Sequence, residues 1–111
     1  MEKIKRTKQE LTTCYLLRQA FSRSMWYWET IRAAKTSPDQ YKCGKCQKIF
    51  KLREIAVDHK IPVVDPILGW QGVVVFAHRL FCEFSNLWVL CIDECHSKKT
   101  KKENKIRKEN K

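Results

Sequence analysis

Residues 86–100 read NLWVLCIDECHSKKT, and three chemistries succeed one another along them. Leu87 to Leu90 form an apolar run with the length and composition of a short strand. Cys91 and Cys95 follow, and from Cys95 the chain reads as a helix running into a lysine-rich end. A strand that delivers two thiols to the start of a helix is half of a metal site, so the other half has to be sought elsewhere in the chain.

It lies at Cys43 and Cys46, with two residues between them against three between Cys91 and Cys95, and with 44 residues separating the pairs. Four thiolates close a tetrahedral zinc site with no open coordination position, which makes the site structural. A redox dithiol normally opens a helix after a strand in a thioredoxin-like pattern and would leave the second pair unexplained, so zinc is favoured. Cys14 and Cys82 are unpaired in sequence and sit in apolar surroundings, where they read as small buried hydrophobes. The opening MEKIKRTKQELTT is basic and polar, CYLLRQAF is too short for a secretory apolar segment, and no run reaches the length of a membrane span. Six cysteines in such a chain are therefore expected as reduced thiols in a cytoplasmic setting.

At 111 residues the chain is expected to be one small domain, marginal on hydrophobic burial alone and in need of a staple. Its 23 Lys and Arg against 12 Asp and Glu give a net charge of +11, which favours a polyanionic partner, either nucleic acid or an anionic membrane surface. From Ser97 onward eight basic side chains face only Glu103 and Glu109. The expected division is a basic N-terminal tail over 1–12, a folded domain over 13–100 and a lysine-rich tail over 101–111, with Lys98, Lys99, Lys101 and Lys102 as candidate phosphate contacts.

Within the domain Leu17, Phe21, Trp28 and Ile31 recur at helical intervals, predicting one broken helix or two short ones interrupted near Ser22 to Ser24. Trp26, Tyr27 and Trp28 are read as core rather than as a base-stacking surface. Ile55 to His59 predicts a strand. Val73, Phe76, Ala77, Leu80 and Phe81 fit one helix face, although Val73 to Phe76 is β-like in composition. No internal repeat or Gly-Ser linker interrupts the chain.

Residues 57–65, VDHKIPVVD, then raise a chemical question, because Asp58 directly precedes His59 and neighbours on a strand face opposite ways. If zinc draws Cys46 and Cys91 together, the strands carrying Asp58 and Leu90 can pair, and the following helix brings His96 near Asp58. Carboxylate and imidazole are suitable ligands for a divalent ion, and two protein ligands leave positions for water and a phosphate oxygen. His59 is then a neighbouring imidazole suited to general-base work.

VDHKIPV followed by SNLWVLCIDECHSKKT, with YKCGKC upstream, resembles the HNH endonuclease family, and the likeness extends from Arg18 through the tail to small free-standing members, many encoded by bacteriophages. The resemblance implies an α+β fold: a small, treble-clef-like ββα-metal core with N-terminal helices and a structural Zn2+ site on Cys43, Cys46, Cys91 and Cys95. It implies hydrolysis of DNA phosphodiester bonds with a catalytic Mg2+ or Mn2+ on Asp58 and His96 and with His59 as the base. Asn86 matches the Asn that ties down the loop after the first strand, and Lys99 matches a basic residue on the face of His96, close enough to contact phosphate. On this expectation a clamped turn, not a regular strand, lets Asp58 and His59 serve one site. Family members usually have two residues between the last two cysteines, so the third is expected to delay the helix. His78 matches no motif position and is expected to face solvent.

DNA is the implied partner, with a phage packaging or other targeting protein as a second one, and host cytoplasm as the setting if the chain is phage-encoded. The competing expectation is a catalytically inert zinc-stapled nucleic-acid-binding module. A redox or zinc-storage protein would account for the thiols alone.

Overall fold

Thr7 begins the first helix. Its hydroxyl accepts the Glu10 N–H at 3.1 Å, and the Glu10 carboxylate accepts the Thr7 N–H at 2.9 Å. This reciprocal cap satisfies two donors that a helix start leaves orphaned. The computed structural model describes residues 4–110, in which α1 spans Lys8–Ser22 and α2 spans Met25–Ala34. The break falls where the sequence placed it, and the Ser24 hydroxyl donates back to the Phe21 carbonyl at 2.6 Å. The segment expected as an N-terminal tail is therefore helical from Lys8. It is also docked, since Glu10 accepts the Trp70 indole N–H at 3.1 Å.

Three short antiparallel strands follow, β1 (Lys35–Ser37), β2 (Gln40–Lys42) and β3 (Ile49–Phe50), with Cys43 and Cys46 in the turn between the last two. A 3-10 turn leads into β4 (Ile55–His59). After a long connection and α3 (Val73–Leu80), a second 3-10 turn over Phe84–Asn86 feeds β5 (Leu87–Cys91). β4 and β5 form a separate antiparallel pair, in register from Ile55 opposite Cys91 to His59 opposite Leu87. The chain then makes a π-helical turn over Ile92–His96 and continues as α4, Ser97–Glu109. The lysine-rich segment expected as a tail is thus a helix through Glu109. α4 buries no residue, and Arg107 ties its far end to the body by donating to the Val64 carbonyl at 3.4 Å.

Both faces of the β4–β5 pair are covered. Phe21 of α1, Phe76 and Leu80 of α3, and Leu87 of β5 share the main cluster, while Ile31, Tyr41, Ile55 and Val89 form a second and the cysteines with Leu90 a third. Phe76 and Leu80 are essentially inaccessible whereas Val74 is 70% exposed, so the helical spacing prevailed over β-like composition in α3. Trp26 and Tyr27 pack edge-on against Phe81 and Phe21. Trp28 meets the edge of Tyr27 at 5.3 Å but stays 48% exposed, outside the core. Successive helical positions turn by about 100°, so three consecutive aromatics cannot all face one core. Cys14 is buried and Cys82 half-buried, as unpaired thiols, and His78 is exposed. Among the described residues no helix is long and apolar enough to cross a membrane.

Candidate functional site

The four cysteines expected to share a metal converge. The sulfurs of Cys43, Cys46, Cys91 and Cys95 all lie within 4.8 Å of one another. Zn–S bonds of about 2.3 Å in a tetrahedron separate sulfurs by roughly 3.8 Å, so this donor set could hold a structural ion such as zinc. The backbone shapes the cradle: Cys43 and Lys48 are linked N–H to carbonyl at 2.9 Å, Gly44 N–H donates to the Val89 carbonyl at 2.7 Å, and Gln47 takes a left-handed φ of 65°. A Cβ on Gly44 would meet the Trp88 ring at 3.0 Å and the Val89 carbonyl at 3.2 Å, so the close approach of turn to strand favours glycine.

The thiols are electrostatically unequal. Burial pushes the Cys43 thiol up, but N–H donors from Cys46, Cys91 and Lys45 outweigh it and bring the pKa down to about 6. Burial and three neighbouring sulfurs push Cys95 up to about 12. Cys43 is thus the sulfur most readily ionised, and a dication would relieve the crowding that pushes Cys95 up. The three residues between Cys91 and Cys95 lie in the π-helical turn, in which the Cys91 sulfur accepts the Cys95 N–H at 3.4 Å.

A cavity of about 740 Å3 lies between α2 and the cysteine turn, lined by Met25, Ala33, Phe84 and Leu87, and holds no acid-histidine pair. A smaller one of about 470 Å3 holds Asp58, His59, His96 and Lys99 together. Asp58 is cross-strand partner to Trp88, and its Oδ2 accepts the Trp88 Nε1–H at 3.0 Å and faces Lys99 Nζ at 3.2 Å. Its other oxygen, Oδ1, stands 4.0 Å from His96 Nε2. The π-helical turn that leads into α4 therefore brings His96 to the acid on β4.

His59 occupies the opposite side of β4. Its ring packs 5.0 Å from Phe21, and its Nε2 lies 2.8 Å from the Leu80 carbonyl. A carbonyl only accepts, so Nε2 carries the hydrogen and Nδ1 keeps the lone pair. Burial, opposed by the Leu80 carbonyl and by Asp58, holds the pKa of His59 below the usual histidine value. The expected departure from strand geometry at this pair does not occur: pairing continues through His59 opposite Leu87. Both side chains border one cavity because the strand ends there. The clamp comes one residue later, where Asn86 accepts the Lys60 N–H through its carbonyl at 2.8 Å and the Ile61 N–H through Oδ1 at 2.9 Å.

Lys99 differs from expectation. Its ammonium is held between Asp58 and Glu103 and donates to the His59 carbonyl at 3.0 Å, so it orients the acid and does not reach outward for phosphate. Lys98, Lys101 and Lys102 are exposed on α4. Sequence reasoning missed Trp88 and Glu103. Both had signals, since Glu103 is four residues beyond Lys99 and Trp88 falls opposite Asp58 once the strands pair. No local signal marks Arg6, Arg18 and Arg107, which line the same cavity from distant parts of the chain.

No family model, curated protein or solved structure matches this chain.

Proposed function

We propose that the chain is a metal-dependent endonuclease of the HNH type, built on a ββα-metal core of β4, β5 and α4, that hydrolyses DNA phosphodiester bonds. One observation carries the reading: an acid and a histidine from different elements present Oδ1 and Nε2 to each other 4.0 Å apart, in a cavity that also holds a neutral histidine. Carboxylate and imidazole are suitable donors for a divalent ion, so Asp58 and His96 would be the residues to hold Mg2+ or Mn2+. Trp88 and Lys99 occupy Oδ2 and leave Oδ1 for the ion.

On this reading His59 Nδ1 takes a proton from water, and the hydroxide formed attacks phosphorus. His59 is kept ready by its surroundings, because the Leu80 carbonyl fixes the tautomer and burial favours the neutral ring. A divalent ion on Asp58 and His96 would supply charge neutralisation at the phosphorane and at the leaving 3′ oxygen. The products are then a 5′-phosphate and a 3′-hydroxyl. Exposed Lys98, Lys101, Lys102, Lys105 and Lys108 along α4 give the duplex a cationic rail that reads charge rather than sequence.

The Lys99–Asp58 ion pair at 3.2 Å favours the alternative, an inert zinc-stapled nucleic-acid-binding module in which lysine takes the ion's place. Incubating the zinc-loaded protein with supercoiled plasmid separates the two. Nicked or linear DNA formed with Mg2+ or Mn2+ and absent without them supports the nuclease. DNA retention without cleavage under any divalent ion refutes it.

A further inference from the structure

Four cationic side chains line the acid-histidine cavity, Arg6, Arg18, Lys99 and Arg107, against two carboxylates, Asp58 and Glu103. Lys99 engages both carboxylates. The three arginines come from separate segments, and among the described residues none of them forms a salt bridge; Glu10 alone of the acids exerts a longer-range pull, on Arg6. Grouping unpaired like charges costs free energy unless an anion joins them. The charges of Arg6 and Arg107, after partial burial, push the pKa of Arg18 down, as such crowding requires.

The way each guanidinium is held also points to an anion. Arg6 lies 5.0 Å from the centre of the Trp70 ring and Arg18 lies 5.2 Å from that of Phe76. Contact through an aromatic face fixes the flat group while leaving its N–H edge available, and neither arginine donates a hydrogen bond to a described acceptor. Arg107 is anchored by Asn104 Oδ1 at 2.9 Å and the Val64 carbonyl at 3.4 Å. Arginine forks match phosphate oxygens in bidentate geometry.

We propose that Arg6, Arg18 and Arg107 form a phosphate-binding subsite that grips a backbone phosphodiester next to the one lying at Asp58 and His96. The subsite sets how the strand threads the cavity, so that the bond to be cut meets His59. Its ligand being DNA rests on the nuclease reading, whereas its affinity for a phosphodiester does not depend on cleavage.

The test is equilibrium binding of a fluorescein-labelled DNA duplex to the zinc-loaded protein without added divalent ion, measured over a range of NaCl concentrations. The double variant Arg18→Gln with Arg107→Gln should lose roughly 0.9 from the slope of log affinity against log salt, one phosphate contact. Arg32→Gln, which removes the same kind of charge from an exposed pair with Glu29, should keep the wild-type slope. A double variant with the wild-type slope overturns the subsite, and so does an equal loss from Arg32→Gln, which would reveal only the general field. Circular dichroism and zinc content check the fold. If Arg18→Gln does not fold, Arg6→Gln with Arg107→Gln carries the same comparison. A slope lost only in the arginine variants while plasmid stays intact leaves the subsite standing and removes the nuclease. Cleaved plasmid with unchanged slopes does the reverse.

Discussion

Replacing His59 by glutamine and by alanine separates what this ring does for the fold from what it does for chemistry. The ring donates to the carbonyl of Leu80, a residue with only 1% of its surface exposed, and packs against Phe21. His59→Ala removes the donor and leaves a buried acceptor unsatisfied, at a cost of about 1–3 kcal/mol, with a further contribution from the lost packing. Glutamine carries an amide N–H that can take over the bond to Leu80, so His59→Gln should stay within about 1.5 kcal/mol of wild type in urea unfolding. Neither variant has a base. Plasmid cleavage in Mg2+ at pH 8 should fall about 10²- to 10⁴-fold in both, with zinc content and DNA affinity retained. Imidazole added to His59→Ala, whose lost ring opens onto the 470 Å3 cavity, should restore part of the rate. The wild-type acid limb should lie below the ordinary histidine value of about 6.5, because burial lowers the pKa in the fold. The same shift makes the unfolded chain the better proton acceptor. The His59 contribution to stability is therefore whole above about pH 6.5 and is lost as pH falls from there through the lower folded pKa. Cleavage by His59→Gln within about tenfold of wild type would refute the reasoning, since no factor of the size expected from general-base catalysis would then belong to this ring.

Stripping zinc with a strong chelator, or Cys43→Ser, should unfold the domain, and circular dichroism that stays native after complete metal removal would refute this; Cys82→Ala should leave one zinc per chain. Changing Lys101, Lys102, Lys105 and Lys108 together to glutamine should make the salt dependence of DNA binding shallower by roughly 0.9 for each phosphate no longer engaged, while cleavage at saturating DNA persists. Trp88→Phe removes the 3.0 Å hydrogen bond to Asp58 Oδ2 and should cost about 1.5–3 kcal/mol in unfolding, together with weaker Mn2+ binding by calorimetry. Unchanged metal affinity would show that Asp58 is oriented by Lys99 alone.

Patterns carried by neighbours in the chain were legible. The two five-residue strands, the break at Ser22–Ser24, the cysteine pairs and the approach of His96 to Asp58 all follow from spacing, because apolar periodicity and metal geometry act over few residues. The start of α1 was legible as well, in Thr7 and Glu10 at capping-box spacing, yet the basic composition around them suggested a tail. Composition also hid how far α4 runs, because its lysines tolerate a helix as readily as a solvated coil. Trp28 shows a different limit: helical spacing was carried through Ser22–Ser24, where the chain resets its phase, so only part of that face reaches the core. The arginines from residues 6, 18 and 107 have no sequence relation to one another, and only the packing of α1 and α4 around the cavity joins them.

The wide turn at Ile92–His96 separates two kinds of length tolerance in this chain. A single π-helical turn can take up a residue without passing a rotation on to the helix beyond it, so Cys95 and His96 can keep their posts whether the spacer from Cys91 holds two residues or three. No such buffer exists a few positions later. One residue inserted between His96 and Lys99 would swing the lysine about 100° around α4 and off Asp58. Insertion scanning should therefore find a permissive gap before the last cysteine and a forbidden one immediately after His96, within a span of eight residues from Ile92 to Lys99. Engineered variants can then be designed to differ in the first gap while keeping the interval from His96 to Lys99 fixed.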